Sequence, residues 1–188
     1  MDNREKILAE ALHLFAAQGY EAVGVEAIAR AAGVTKPTLY HYFGSKAGLL
    51  EELLQVNFLA LLDAVRPALA YARDLPLTLY RTAHAYFGFA RAHPEFYRMQ
   101  LAMWFGPQDG EPFRAVQPWG QRQQELLTAL FAAAAQDHGN MKGRQQRYAA
   151  TFLGMINTMI GLQLHGLATL DDELVFKVVH QYMHGIYS

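Results

Sequence analysis

The run Thr35-Lys36-Pro37-Thr38-Leu39-Tyr40-His41-Tyr42-Phe43, with Gly44-Ser45-Lys46 behind it, gathers ammonium, hydroxyl, phenol and imidazole groups in one short stretch. Groups of this kind donate to surfaces rich in acceptors. An ammonium reaches guanine O6/N7 or a phosphate, a hydroxyl reaches a base edge or a backbone oxygen, and proline and tyrosine rings pack on thymine methyl groups. Lys36 and Thr38 are therefore candidates for a base edge or a phosphate, Pro37 and Tyr40 for thymine methyl groups, and His41 and Tyr42 for backbone phosphates. Leu39 and Phe43 have the opposite helical phase and belong to a core. Lys46, with the N–H groups that open the helix behind Ser45, makes a second candidate phosphate clamp.

Presenting these groups requires a short helix held at a fixed angle by its neighbours. The spacing of Ile7, Leu8, Ala11, Leu12 and Phe15 predicts a first helix, capped by Asp2 or Asn3 and stopped at Gly19. A second runs from about Val25 to Ala32, with Val25, Ile28 and Ala29 inward and Gly33 as the left-handed residue after it. Thr35 caps a third, with Pro37 in its first turn where the missing N–H costs nothing. Ala29, four residues before Gly33, keeps a steep crossing free of bulk, and the pair then reads as a helix-turn-helix. Any short helix pair with Ala-x3-Gly shows that pattern, so geometry alone leaves the motif open.

The longer run Gly19 to Leu54, GYEAVGVEAIARAAGVTKPTLYHYFGSKAGLLEELL, is more specific. With Phe15, Gly19-Tyr20, Ile28-Ala29, Ala32-Gly33-Val34, Thr38-Leu39-Tyr40, Phe43, Lys46 and Leu49-Leu50 in fixed order, it closely resembles the N-terminal DNA-binding domain of the TetR family of bacterial transcription regulators. The resemblance implies an obligate homodimer on a double-stranded DNA operator, and a C-terminal bundle in which a small-molecule effector controls DNA release. It also implies that Lys36, Pro37, Thr38 and Tyr40 face bases while Thr35, His41, Tyr42 and Lys46 face the backbone. One position departs. Where the family commonly has Ser or Thr before the second helix, this chain has Gly24, which caps without a hydroxyl and leaves only a backbone N–H for that phosphate contact. The head is not net basic either: Arg4, Lys6, Arg30, Lys36 and Lys46 are matched by Asp2, Glu5, Glu10, Glu21 and Glu26. Few phosphate contacts per subunit follow, and affinity should depend on dimerisation.

Beyond Ser45 a long apolar helix is expected, kinked or ended by Pro67, then helices over about 76–92, 94–104, 113–137, 142–166 and 171–187, with a loop at Gly106–Pro112. No apolar run alternates with period two. The expected fold class is all-α: a three-helix N-terminal head with a helix-turn-helix, followed by a larger C-terminal helical bundle, about nine helices in all. The domains expected are 1–46 for DNA binding and 47–188 for ligand binding and dimerisation. Rings and thioethers crowd 80–104, and most are core; within them an apolar or aromatic effector would meet His84, Tyr86, Phe87, Gln100, Met103, Trp104, Asn157 and His165. Gly154, Thr158 and Gly161 put small residues on one helix face, and Val175, Val179, Tyr182, Met183 and Ile186 stripe the last helix. These two helices are expected to pair with their symmetry mates, the alternative being packing within one chain.

Composition excludes much else. In 188 residues there is no cysteine, so thiolate catalysis, disulfides and Cys-ligated zinc are absent. Sixteen Lys/Arg against seventeen Asp/Glu leave net charge uninformative about nucleic acid. His180 and His184 lie four apart but lack a third ligand, so no metal and no cofactor is expected. No Gly-rich phosphate loop, Gly-x-Ser-x-Gly elbow or His-Glu-x-x-His occurs, and no catalytic residue is assigned. The start does not resemble a signal peptide and no run is long enough to span a membrane, so a cytoplasmic protein with no membrane partner is expected. A helical binding protein whose head never touches DNA, or an enzyme with an apolar site, would be the competing classes.

Overall fold

The computed structural model describes residues 2–185, and Ile186, one of the expected interface residues, lies outside them. Among the described residues there are nine α-helices and no strand: α1 (Asn3–Gln18), α2 (Val25–Ala31), α3 (Lys36–Phe43), α4 (Lys46–Val65), α5 (Leu75–Ala92), α6 (Pro94–Trp104), α7 (Glu111–Asp137), α8 (Gln145–Leu164) and α9 (Asp172–His184). The all-α architecture with a three-helix head is as expected.

Most helix ends follow from local chemistry. Asp2 opens α1 in a capping box: its carboxylate accepts from the Glu5 N–H at 2.8 Å, and Glu5 accepts from the Asp2 N–H at 3.0 Å. Thr35 caps α3 and Ser45 caps the first turn of α4, where its Oγ accepts from the Gly48 N–H at 2.9 Å. The long α4 stops at Val65, one residue before a 3-10 turn that contains Pro67. Two boundaries move. α7 begins at Glu111, because Pro112 sits in its first turn, where no N–H is needed, and not in the loop. α8 begins at Gln145, because Gly143 at φ +76° turns the chain just before it.

By packing, the chain divides into two units, which does not coincide with a boundary at residue 46. The first takes in the residues to Leu59 together with His93–Pro118. Its core is made by Ile7, Ala11 and Phe15 of α1, Ile28 of α2, Leu39 and Phe43 of α3, Leu50 and Leu54 of α4, and Phe96 and Met99 of α6. Phe58 and Phe96 meet edge to face at 5.0 Å. The second unit comprises Ala60–Ala92 and the residues from Trp119 onward. In it Tyr86, Phe87, Phe131, Phe152, Ile156 and Val175 are buried, and α5 packs on α8 and α9. Thr82 is fully buried in α5 and satisfies its hydroxyl on the Thr78 carbonyl at 2.8 Å.

Candidate functional site

The turn between α2 and α3 is built from the residues that the spacing indicated. Gly33 adopts φ +66°, and the Val34 N–H donates to the Ala29 carbonyl at 2.9 Å, closing the end of α2. Leu39 and Phe43 then enter the core, which contributes about 1.5–3 kcal/mol for each side chain. That burial fixes the rotation of α3. Lys36, Pro37, Tyr40, His41 and Tyr42 are left in solvent, with Tyr40 and Tyr42 exposed by 39% and 41%.

Individual side chains on this face are held by neighbours. The Thr35 Oγ1 lies 2.8 Å from the Thr38 hydroxyl and accepts from the Thr38 N–H at 3.3 Å, so both threonines are engaged in the cap. His41 and Tyr42 meet edge to face at 5.6 Å. Lys36 forms an ion pair with Glu26 of α2, and its ammonium also lies 5.8 Å from the Tyr40 ring. The hydrogen bond and charge of Glu26 raise the Lys36 pKa, and Lys36 in turn lowers that of Glu26. Gly24 caps α2 without a side-chain bond, as its lack of a hydroxyl demands.

Lys46, at the start of α4, is half-buried and points its ammonium at the Tyr20 ring, 4.0 Å from the centroid. Such a contact contributes about 0.5–2 kcal/mol and orients the charge. The buried Tyr20 donates its hydroxyl to Glu111 Oε2 at 2.6 Å. Burial, followed by the Glu111 bond and charge, pushes the Tyr20 phenol far above its ordinary pKa, so it stays a donor. The chain Glu111, Tyr20, Lys46 was not visible in the sequence, because its members are distant in it. Beside Tyr20 lies a cavity of about 330 Å³ lined by Phe15, Met99, Met103 and Phe113.

The second unit holds an open cavity of about 700 Å³. Phe131, Tyr148, Tyr182, Leu79, Met141 and Met183 give it apolar walls, and His138, Asn140, Thr151 and His184 give it polar edges. The Tyr182 hydroxyl donates to the Tyr148 carbonyl at 2.7 Å, and its ring packs 5.1 Å from Phe152.

None of the eight expected effector residues lines this cavity, and the structure assigns most of them elsewhere. Tyr86 and Phe87 are core residues, 1% and 0% exposed. Gln100 is buried, and Trp104 packs on Phe113 at 5.9 Å. Met103 belongs to the smaller cavity of the first unit. His84 is on the surface, where its Nε2 lies 3.2 Å from an Asp172 carboxylate oxygen. His165 is exposed at the end of α8, and Asn157 is half-buried within that helix. Sequence reasoning missed His138, Asn140 and Met141, whose loop has no periodicity to mark it.

The expected interface residues also divide. Gly154 and Thr158 are exposed on α8, and Gly161 is half-exposed. Val175 and Val179 must be corrected: at 0% and 3% exposure they are used up in their own chain's core, and α9 presents Phe176 (61%) outward instead. Tyr182 and Met183 are half-buried and line the larger cavity. Among the described residues no group of three or more His, Asp or Glu could hold a metal ion.

Two family models match the chain: bacterial regulatory proteins, tetR family, over residues 7–53, and tetracyclin repressor-like, C-terminal domain, over residues 79–180. The HTH-type transcriptional activator FasR of Mycolicibacterium smegmatis is 36% identical over 98 residues, covering 52% of this chain but only 45% of that relative. The fatty acid degradation regulator FadR from Bacillus halodurans shares the fold with a TM-score of 0.80 at 22% identity, over 97% of this chain and 98% of that one. FadR from Bacillus subtilis, solved in complex with stearoyl-CoA, gives a TM-score of 0.81 at 18% identity, over 97% and 98% of the two chains. At these identities the two structures speak for the fold alone.

Proposed function

Since the chain belongs to the tetR family of bacterial regulatory proteins, we propose that it is a ligand-responsive DNA-binding transcription regulator. Residues 1–46 bind DNA and residues 47–188 bind the effector and a second copy of the chain. The family is one of transcription regulators, not enzymes. The observation that supports the DNA role best is the solvent face of α3, where donors and rings stand outward while Leu39 and Phe43 lock the helix by their burial. Lys36, Pro37, Thr38 and Tyr40 read base edges; Gly24, Thr35, His41, Tyr42 and Lys46 hold the backbone.

The protein acts as a cytoplasmic homodimer that represses by occupying a palindromic operator, and releases it when a mostly apolar effector binds. The cavity of about 700 Å³ is large enough for such a molecule and has the mix of apolar wall and sparse polar edge that fits one. A long-chain acyl thioester, the kind of ligand bound by the Bacillus subtilis neighbour, is the first compound to try. To move the protein from 1:99 to 99:1 in favour of the releasing state, the effector must prefer that state by about 5.5 kcal/mol. No helix among the described residues is long and apolar enough to cross a membrane.

Selection of binding sites from random DNA with the purified protein tests the reading. The expected product is a palindrome whose half-sites lie about one helical turn, roughly 34–36 Å, apart. Recovery of no enriched sequence would refute the DNA role. Because the relative FasR is named an activator, transcription in vitro from a promoter carrying the selected site decides the sign: repression falls if the protein raises transcript yield.

A further inference from the structure

The recognition helix carries its most prominent cation already paired. Lys36 opens α3, and its partner Glu26 comes from the first turn of α2, ten residues earlier. Both side chains face solvent, at 45% and 66% exposure, so this is not a buried pair that the fold requires. Exposed pairs of this kind contribute little to stability. The charge consequence is larger. A carboxylate stands on the surface that α3 presents to DNA, beside the one lysine of that helix, and cancels it at the point where phosphates would approach.

We propose that Glu26 is a specificity-determining residue of the DNA-binding head, acting by holding Lys36 against sequence-independent contacts. On arbitrary DNA, Lys36 has to leave a carboxylate in order to meet a phosphate, and that carboxylate then sits unpaired in the negative field of the duplex. The exchange gains little, so Lys36 releases no counterion and adds nothing to non-specific affinity. On the operator, a guanine at the matching position offers O6 and N7 together, a two-point acceptor that Lys36 gains only with the right base. Glu26 thus weakens all binding, but weakens wrong binding more. This works through the unfavourable partner, as selectivity often does. It rests on the reading of α3 as a DNA-recognition helix.

The test uses the full-length protein, the selected operator and a random duplex of equal length, each titrated across a series of salt concentrations. Glu26→Gln keeps the shape and helix position of the side chain while removing its charge. The variant is expected to bind random DNA roughly fivefold or more tightly near 0.1 M salt and to steepen its log–log salt slope by about 0.9, the value of one released counterion. Operator affinity should rise less, so the ratio of specific to non-specific binding falls. With Lys36→Gln already present, the effect of Glu26→Gln should be clearly smaller, because only the repulsion of an unpaired carboxylate remains to be relieved and no lysine is freed. Unchanged random-DNA affinity and salt slope in Glu26→Gln, with wild type still selective for its operator, would overturn this inference alone. An effect of equal size with Lys36 present or absent would also overturn it, since Glu26 would then act by its charge without Lys36. Wild type that prefers no sequence refutes the DNA reading and takes this inference with it.

Discussion

Each side chain on the face of α3 owes its role to one variable, helical phase, and that variable is legible in sequence. Leu39 and Phe43 mark the buried side, so Lys36, Tyr40, His41 and Tyr42 had to be outside, and they are. What each outward group does before it meets DNA was not legible. Glu26 on Lys36, and the Tyr20 ring under Lys46, are contacts between elements and leave no local pattern. Different outcomes follow for the two lysines. Lys36→Ala should relax selectivity at one base position, by about 1–3 kcal/mol of discrimination. Lys46→Ala and Tyr42→Phe should weaken binding evenly across sequences, and Lys46→Ala should lower the salt slope by about one. Competition titrations with single-base operator variants separate the two. Unchanged selectivity in Lys36→Ala would remove it as a base reader. Tyr20→Phe bears on the second lysine: it keeps the ring beneath the ammonium but leaves the Glu111 carboxylate without that donor. The exposed carboxylate regains water, so the loss is expected to be about 0.5–1.5 kcal/mol of stability in urea denaturation.

Helices were legible where a cap or proline marks them and less so where a glycine acts through space. Gly48 shows the difference, because nothing in the run Ser45-Lys46-Ala47-Gly48 says that the fourth residue must be small. In the fold a Cβ placed there would come 2.2 Å from the Phe43 carbonyl oxygen, which belongs to the end of α3. The turn from α3 to α4 therefore closes only over a bare backbone. Gly48→Ala should destabilise the protein by about 1–3 kcal/mol, against the gain that alanine brings to an ordinary helix position. Chemical denaturation would show the sign; a stabilised variant would mean that the two helices separate at no cost. The packing of α1 on α6 has a marker of its own. His13 Nδ1 lies 2.8 Å from Glu95 Oε1, and that bond, with the carboxylate charge, raises the His13 pKa above 6.5. A raised histidine stabilises the fold fully below its unfolded pKa of 6.5 and loses that contribution as pH climbs through the folded value. The stability difference between wild type and His13→Gln should therefore be larger at pH 5.5 than at pH 8.5. A difference that grows with pH would contradict the pairing.

At the scale of the whole molecule, what one chain leaves unexplained points to a second copy. Gly154 and Gly161 both lie inside α8, where glycine costs about 1 kcal/mol relative to alanine. Nothing in the protomer requires that cost, since a Cβ added at either position would meet no atom within 4 Å. Between them Thr158 turns its hydroxyl onto the Gly154 carbonyl at 2.8 Å, so the exposed stripe has no donor that demands water. A stripe that is small and already satisfied suits the close approach of another helix, and a twofold pair would bring α8 against its own symmetry mate. The sequence spacing indicated this face, but it also enlisted Val175 and Val179, because a stripe shows that a residue is turned inward without showing whose core receives it. Two substitutions at one position separate a partner's demand from the chain's own. Gly154→Ala in an isolated protomer should raise stability by about 1 kcal/mol from helix propensity alone, whereas Gly154→Arg should cost the protomer little. If α8 meets its mate, Gly154→Arg should sediment as a folded monomer with unchanged helix content and lose most of its operator affinity, because one head makes only half of the contacts. Retention of the dimer by Gly154→Arg would place the interface elsewhere and leave the two glycines of α8 without a physical account.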